Sequence, residues 1–204
     1  MRYQQETQPP SQLIRDAIRN TDHSLKVEDI IRALGSQSFG LIFVVMALPM
    51  LVPLPPGIAF IPAALLLIWS VQRALGGTYV WLPKRIGQKR LSQGFINKIE
   101  TKALPLCERL EKRFFNSRPG RLSETEIRLA SIVVALQSFL IMLPTPFLNS
   151  LWALITLLMG LTILNHNRTF LWFNMSVALL AVFAIGSTIY AGSEALLQEL
   201  FEEF

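Results

Sequence analysis

The stretch Phe39–Gln72, FGLIFVVMALPMLVPLPPGIAFIPAALLLIWSVQ, runs for 34 residues without a charged side chain. One membrane-crossing helix needs about 20 apolar residues, so the stretch is too long for a single simple span. It is interrupted by Pro49, Pro53, Pro55, Pro56 and Gly57. Proline removes a backbone donor and disfavours helix at the residue before it. Leu54-Pro55-Pro56-Gly57 therefore ends one helix before Ile58 opens another, which predicts a helical hairpin with arms of about 14 and 16 residues. Arms of that length suit either a re-entrant hairpin or two thin, kinked crossings.

Working outward, the same pattern returns. Leu129–Leu164 is again uncharged and is broken by Pro144-Thr145-Pro146. Ser123 with Glu126 three residues on has the spacing of a capping box ahead of it. Each block follows an acidic helix start, Glu28-Asp29-Ile30-Ile31-Arg32 and Glu124-Thr125-Glu126-Ile127-Arg128. Each first arm ends in related sequence, Met46-Ala47-Leu48-Pro49 and Met142-Leu143-Pro144. Repetition around broken helices is common in small transporters. After Asn165-His166-Asn167-Arg168, Thr169–Gly192 is long enough to cross as one helix. The expected fold is an all-α integral membrane protein: two proline-broken helical hairpins forming an internal repeat, a final transmembrane helix, and amphipathic interfacial helices.

Composition agrees. The 204 residues are 51% hydrophobic and 16% charged, with mean hydropathy +0.42, whereas soluble domains run about 25% charged. The expected organisation is a polar N-terminal amphipathic segment (1–37), a first hairpin (38–73), a basic interfacial or cytoplasmic segment (74–122), a second hairpin (123–164), a transmembrane helix (165–192) and an acidic tail (193–204). In the first segment Leu13, Ile14, Ala17 and Ile18 mark one amphipathic helix. Ser24 is the expected N-cap of a second, whose face carries Ile30, Ile31 and Leu34. No basic n-region, apolar h-region and cleavage site occur in the order of a signal peptide.

Charge is distributed unevenly. Arg73–Arg128 holds thirteen Lys and Arg against five Glu, more than the whole net charge of +5, while the tail from Glu194 carries four acids and no base. Residues 95–115 interleave apolar and basic side chains as an interfacial helix does, with Pro105 as a kink. If each hairpin returns to the side it left, the N-terminus, the basic middle and Arg168 share one face, and positive-inside puts that face in the cytoplasm. Anionic membrane lipid is the partner expected for the basic middle, ahead of nucleic acid.

Few residues offer chemistry. Cys107 is the sole cysteine, and His23 and His166 lie far apart, so no metal-ligand spacing occurs. No nucleophile triad, paired carboxylates or phosphate loop lies in or beside the apolar blocks. The reading is of a protein that is not an enzyme and needs no cofactor. What remains is freed backbone at the breaks, where half-helix starts near Ile58 and Phe147 to Ser150 could face an anionic group. Candidate substrate-binding residues are Pro55, Pro56, Gly57, Gln72, Arg73, Pro144, Thr145, Pro146 and Asn149; in the competing reading the prolines merely turn tight hairpins. Arg73 is otherwise expected to snorkel to the interface, as is Lys84 beside Trp81. Trp81, Lys84, Arg85, Lys89 and Arg90 form the expected lipid interface. Ala184, Thr188 and Gly192 recur every four residues, with Ala178 and Gly186 near the same face, as a small-residue homodimer contact would.

Ser38-Phe39-Gly40, the stretch from Ala47-Leu48-Pro49 to Leu54-Pro55-Pro56-Gly57, Gln72, Trp81-Leu82-Pro83, Leu110-Glu111 ahead of Arg118-Pro119, and Pro144-Thr145-Pro146-Phe147-Leu148-Asn149 together resemble the ExoD family over residues 24–190. Val80 and Asn165-His166-Asn167 depart from the family's usual proline and acidic turn. The resemblance implies a small bacterial inner-membrane protein linked to exopolysaccharide production. Three functions are compatible with it: a non-enzymatic factor binding an anionic or lipid-linked intermediate at the hairpin tips, a small transporter or channel, or a dimeric scaffold for polysaccharide machinery.

Overall fold

A computed structural model of the chain describes residues 9–20, 25–52, 57–105, 108–109, 122–143 and 148–202, with no side chains considered at 103, 189 and 193–202. The elements are α1 (Pro10–Arg19), α2 (Val27–Leu34), α3 (Gln37–Met50), α4 (Phe60–Ala74), α5 (Lys84–Gly87), α6 (Gln93–Lys98), α7 (Glu124–Met142), α8 (Leu148–Asn165) and α9 (Arg168–Glu202). Among the described residues the fold is all-helical, with one isolated antiparallel bridge between Lys26 and Arg90. Among the described residues, three helices are long and apolar enough to cross a membrane: Glu124–Met142, Leu148–Asn165 and Arg168–Gly192. The helices α3 and α4, of 14 and 15 residues, reach only about 21–23 Å at 1.5 Å per residue.

The four helices α3, α4, α7 and α8 pair crosswise. The main contact of α3 is with α8, and that of α4 is with α7. Both pairs are antiparallel. A Cβ on Gly40, near the start of α3, would lie 2.8 Å from the Gly160 carbonyl and 3.0 Å from Leu164 near the end of α8. Arg73 at the end of α4 meets Glu124 at the start of α7. The core between the pairs holds Phe39, Phe43, Met50, Leu66, Val134, Ile141, Trp152, Met159 and Ile163, and Leu171 of α9 joins it. Outward, Val45, Leu48, Ile61, Ile68, Ile132, Phe139, Leu154, Phe173, Leu180 and Phe183 are exposed. Water would leave so many large apolar side chains uncovered, whereas lipid tails solvate them.

A second, smaller core lies outside the bundle. Leu13 and Ile14 of α1 pack with Leu34 and Leu104, flanked by Ile18, Ile30 and Ile99. The apolar face of α1 is thus filled by protein rather than turned to lipid. The amphipathic run after residue 93 continues past α6 as a π-helical turn, Ile99–Ala103, one residue ahead of Pro105. Pro105 has no N–H for the carbonyl four residues back, and the wider turn accommodates the lost bond.

Several local expectations need correction. The second helix starts with Lys26 as N-cap, its N–H donating to Asp29 Oδ2 at 2.8 Å; Ser24 lies outside the described residues. The reason is tertiary: Lys26 is held extended by its bridge to Arg90. Pro49 lies inside α3, which ends one residue later at Met50, ahead of the break read at residues 54–57. The capping box at Ser123 is present as spaced: Ser123 N–H donates to Glu126 Oε2 at 2.9 Å and Glu126 N–H to Ser123 Oγ at 3.2 Å.

Candidate functional site

The polar chemistry collects at one end of the bundle, where α3 and α7 start and α4 and α8 end. Arg73, one residue from the end of α4, is fully buried. Its guanidinium donates to Glu124 Oε2 at 2.9 Å and to the Gly77 carbonyl at 2.9 Å. It also stands over the Phe39 ring of α3, 5.7 Å from the centroid. Arg73 therefore does not snorkel: it joins three elements, and its Nε has no partner among the described residues. The half-exposed Glu124 side chain lets water reach the pair from one side, which limits the cost of burying the charge.

The loop after α4 folds back along that helix. Gln72 Nε2 donates to the Tyr79 carbonyl at 3.1 Å, Trp81 N–H donates to Gln72 Oε1 at 3.1 Å, and Trp69 Nε1 donates to the Trp81 carbonyl at 2.9 Å. Val80 N–H donates to Ser38 Oγ at 3.2 Å, tying the loop to α3. Gly76 turns the chain with φ +98°, and a Cβ there would stand 2.8 Å from the Arg128 guanidinium. Gln72 and Arg73 are therefore committed to holding this loop and the start of α7.

A second junction lies in the same first turn of α7. Glu126 is almost fully buried and accepts from Arg168 Nε at 2.6 Å and Trp172 Nε1 at 3.0 Å, besides its cap bond. One carboxylate thus closes the start of α7 and fastens the start of α9. Deeper in the bundle Thr156 Oγ1 donates to Gln137 Oε1 at 3.1 Å, and the buried Gln137 Nε2 has no partner among the described residues. Asn174 Nδ2 of α9 donates to the Ile155 carbonyl at 3.4 Å.

The candidate residues do not form one cluster. Gly57, with φ +93°, precedes α4, and Asn149 lies in the first turn of α8. Both stand at the end away from Gln72 and Arg73, which are separated from Gly57 by the length of α4, about 22 Å. Pro55, Pro56, Pro144, Thr145 and Pro146 lie outside the described residues. Trp81, Lys84, Arg85, Lys89 and Arg90 are all exposed. On α9, Ala184, Thr188 and Gly192 are exposed, whereas Ala178 is fully buried against the bundle. Ala178 therefore does not share their face, because six residues turn a helix through about 600°, a third of a turn short of returning.

Sequence reading missed the partners. Nothing in the spacing of Arg73 and Glu124, 51 residues apart, announces their contact, and Glu126 was legible only as a cap. Gln137 and Thr156 looked like ordinary polar residues within apolar runs. The close approach at Gly40 and Gly160 left a signal only in retrospect, as single glycines inside helices.

Comparison with known proteins returned no curated protein and no solved structure that matches the chain. The family described as "Exopolysaccharide synthesis, ExoD" matches residues 11–187, most of the chain. By this match the chain belongs to the ExoD family, which implies a role in exopolysaccharide synthesis.

Proposed function

We propose that the chain is a non-enzymatic, multi-pass protein of the bacterial inner membrane that serves exopolysaccharide synthesis or export by meeting an anionic or lipid-linked intermediate at the tips of two repeated hairpins. The supporting observation is the crosswise pairing. If α3–α4 and α7–α8 are the two repeats, exchanging them turns the α3–α8 contact into the α7–α4 contact. The N3 carboxylates correspond in the same way: Asp29 accepts from Lys26 N–H at the start of α2 and Glu126 from Ser123 N–H at the start of α7. Such an arrangement gathers the charged ends on one face and turns the ends of α3 and α7 and the starts of α4 and α8 to the other. In this reading the basic face is cytoplasmic.

The residues assigned to the tip are Gly57 and Asn149 with the prolines around them. Gln72 and Arg73 are reassigned to positioning, since their polar atoms hold the loop and α7. The test is complementation of a deletion strain, scored by secreted polymer at matched membrane abundance. Asn149→Ala is expected to reduce polymer by about tenfold or more, the effect of removing one polar contact worth ~1.4 kcal/mol or above. Full polymer with Asn149→Ala and with Thr145→Ala would overturn the tip assignment. Loss confined to neutralisation of Lys84, Arg85, Lys89 and Arg90 would instead favour the scaffold.

A further inference from the structure

We infer that Trp81–Arg90 forms a rigid platform at headgroup level that binds the anionic lipid surface, Trp81 and Ile86 entering it and Lys84, Arg85, Lys89 and Arg90 contacting phosphates.

Depth is the first ground. The hydrogen bonds from Trp69 to the Trp81 carbonyl and from Trp81 N–H to Gln72 place Trp81 beside the last turn of α4, about 6 Å inside the end of an apolar helix. Trp172, bound to Glu126, occupies the corresponding turn of α9. Both indoles are about half exposed, at 59% and 46%. Exposed tryptophans one turn inside the polar ends of apolar helices mark the membrane–water boundary. Leu75, Val71 and Ile68 continue the exposed apolar surface from α4 to the platform.

Charge is the second. From Ala74 to Ile99 the sequence contains five Lys and Arg and no Asp or Glu, and the four named bases are exposed. One acid lies beside the segment: Glu28, next to Gly87, whose Oε1 accepts from Arg32. Four exposed bases against one carboxylate that is paired with Arg32 leave the field positive where anionic headgroups would lie.

Rigidity is the third. Val27 N–H donates to the Lys89 carbonyl at 3.3 Å and Leu91 N–H to the Leu25 carbonyl at 2.8 Å, pinning the segment to the start of α2. With Gln72 and Trp69 holding the other end, the basic array is ordered before lipid arrives, so little conformational entropy is lost on binding. Apolar side chains set among bases favour a lipid surface over a soluble polyanion.

The test uses the full chain in nanodiscs of phosphatidylcholine alone and of equal parts phosphatidylcholine and phosphatidylglycerol, with amide hydrogen exchange read over residues 81–91. Exchange is expected to slow about tenfold in the anionic discs at low salt. The difference should vanish at high salt and in the K84Q/R85Q/K89Q/R90Q variant, whose α7 and α8 amides must stay protected to show that the bundle is intact. Quenching by brominated phosphatidylcholine, compared between the native chain and Trp81→Phe, should locate the indole in the bilayer boundary. Equal exchange in the two discs, or equal slowing in neutral discs by added polyglutamate, overturns the inference.

Discussion

Arg73 decides how the end of the bundle is held. Its guanidinium is fully buried while Glu124 is half exposed, so the two halves of the pair are not equivalent. Glu124→Ala strands a buried cation against Phe39 and one carbonyl, and is expected to destabilise the purified protein by ~3 kcal/mol. Arg73→Met keeps the packing and leaves a carboxylate that water can reach, so the loss should be nearer ~1 kcal/mol. Thermal unfolding in detergent checks the order; Arg73→Met as the more damaging change would contradict the account. The sequence revealed that Arg73 sits at the edge of an apolar arm, but not that it faces inward. That choice was made by Glu124 and Phe39, which are distant in the chain and meet Arg73 only through the α4–α7 and α3–α4 contacts.

At the scale of elements, the α3–α8 contact depends on bare backbone at Gly40 and Gly160. Glycine to alanine normally favours a helix by roughly 1 kcal/mol. At Gly40 the new methyl would meet the Gly160 carbonyl at 2.8 Å, and at Gly160 it would meet the Gly40 carbonyl at 2.8 Å and the Val44 nitrogen at 2.9 Å. Backbone cannot rotate away, so Gly40→Ala and Gly160→Ala are expected to cost ~1–3 kcal/mol. Gly186 on α9 has nothing within 4 Å, and Gly186→Ala should stabilise by up to ~1 kcal/mol. Melting curves of the three variants give the signs, and stabilisation at Gly40 would show that the two helices are farther apart than described. A milder loss of ~1 kcal/mol is expected for Ser123→Ala, which removes the side-chain acceptor of the α7 cap. That cap, the long apolar helices and the last span were legible because local rules set them. The start of α2 at Val27 rather than near Ser24 was not, because a bridge to Arg90 fixes it, and no local signal encodes a partner 64 residues away.

For the whole molecule, composition and block structure made a helical membrane protein legible, and the repeated motifs pointed to paired arms. How those arms pack was beyond the sequence. Helices with an apolar surface all round have no single preferred face, and small residues and buried polar groups then choose the neighbours. Here Gly40 with Gly160, and Arg73 with Glu124, select α3–α8 and α4–α7. The central claim is that the charged end of this bundle lies on one side of the membrane and α9 carries the acidic tail to the other. Single cysteines at Gln88 and Glu202, in a Cys107→Ser background, test it with an impermeant thiol reagent on intact cells. The account predicts labelling at Glu202 from outside and labelling at Gln88 only after the membrane is opened. Labelling of both positions from the same side would contradict it.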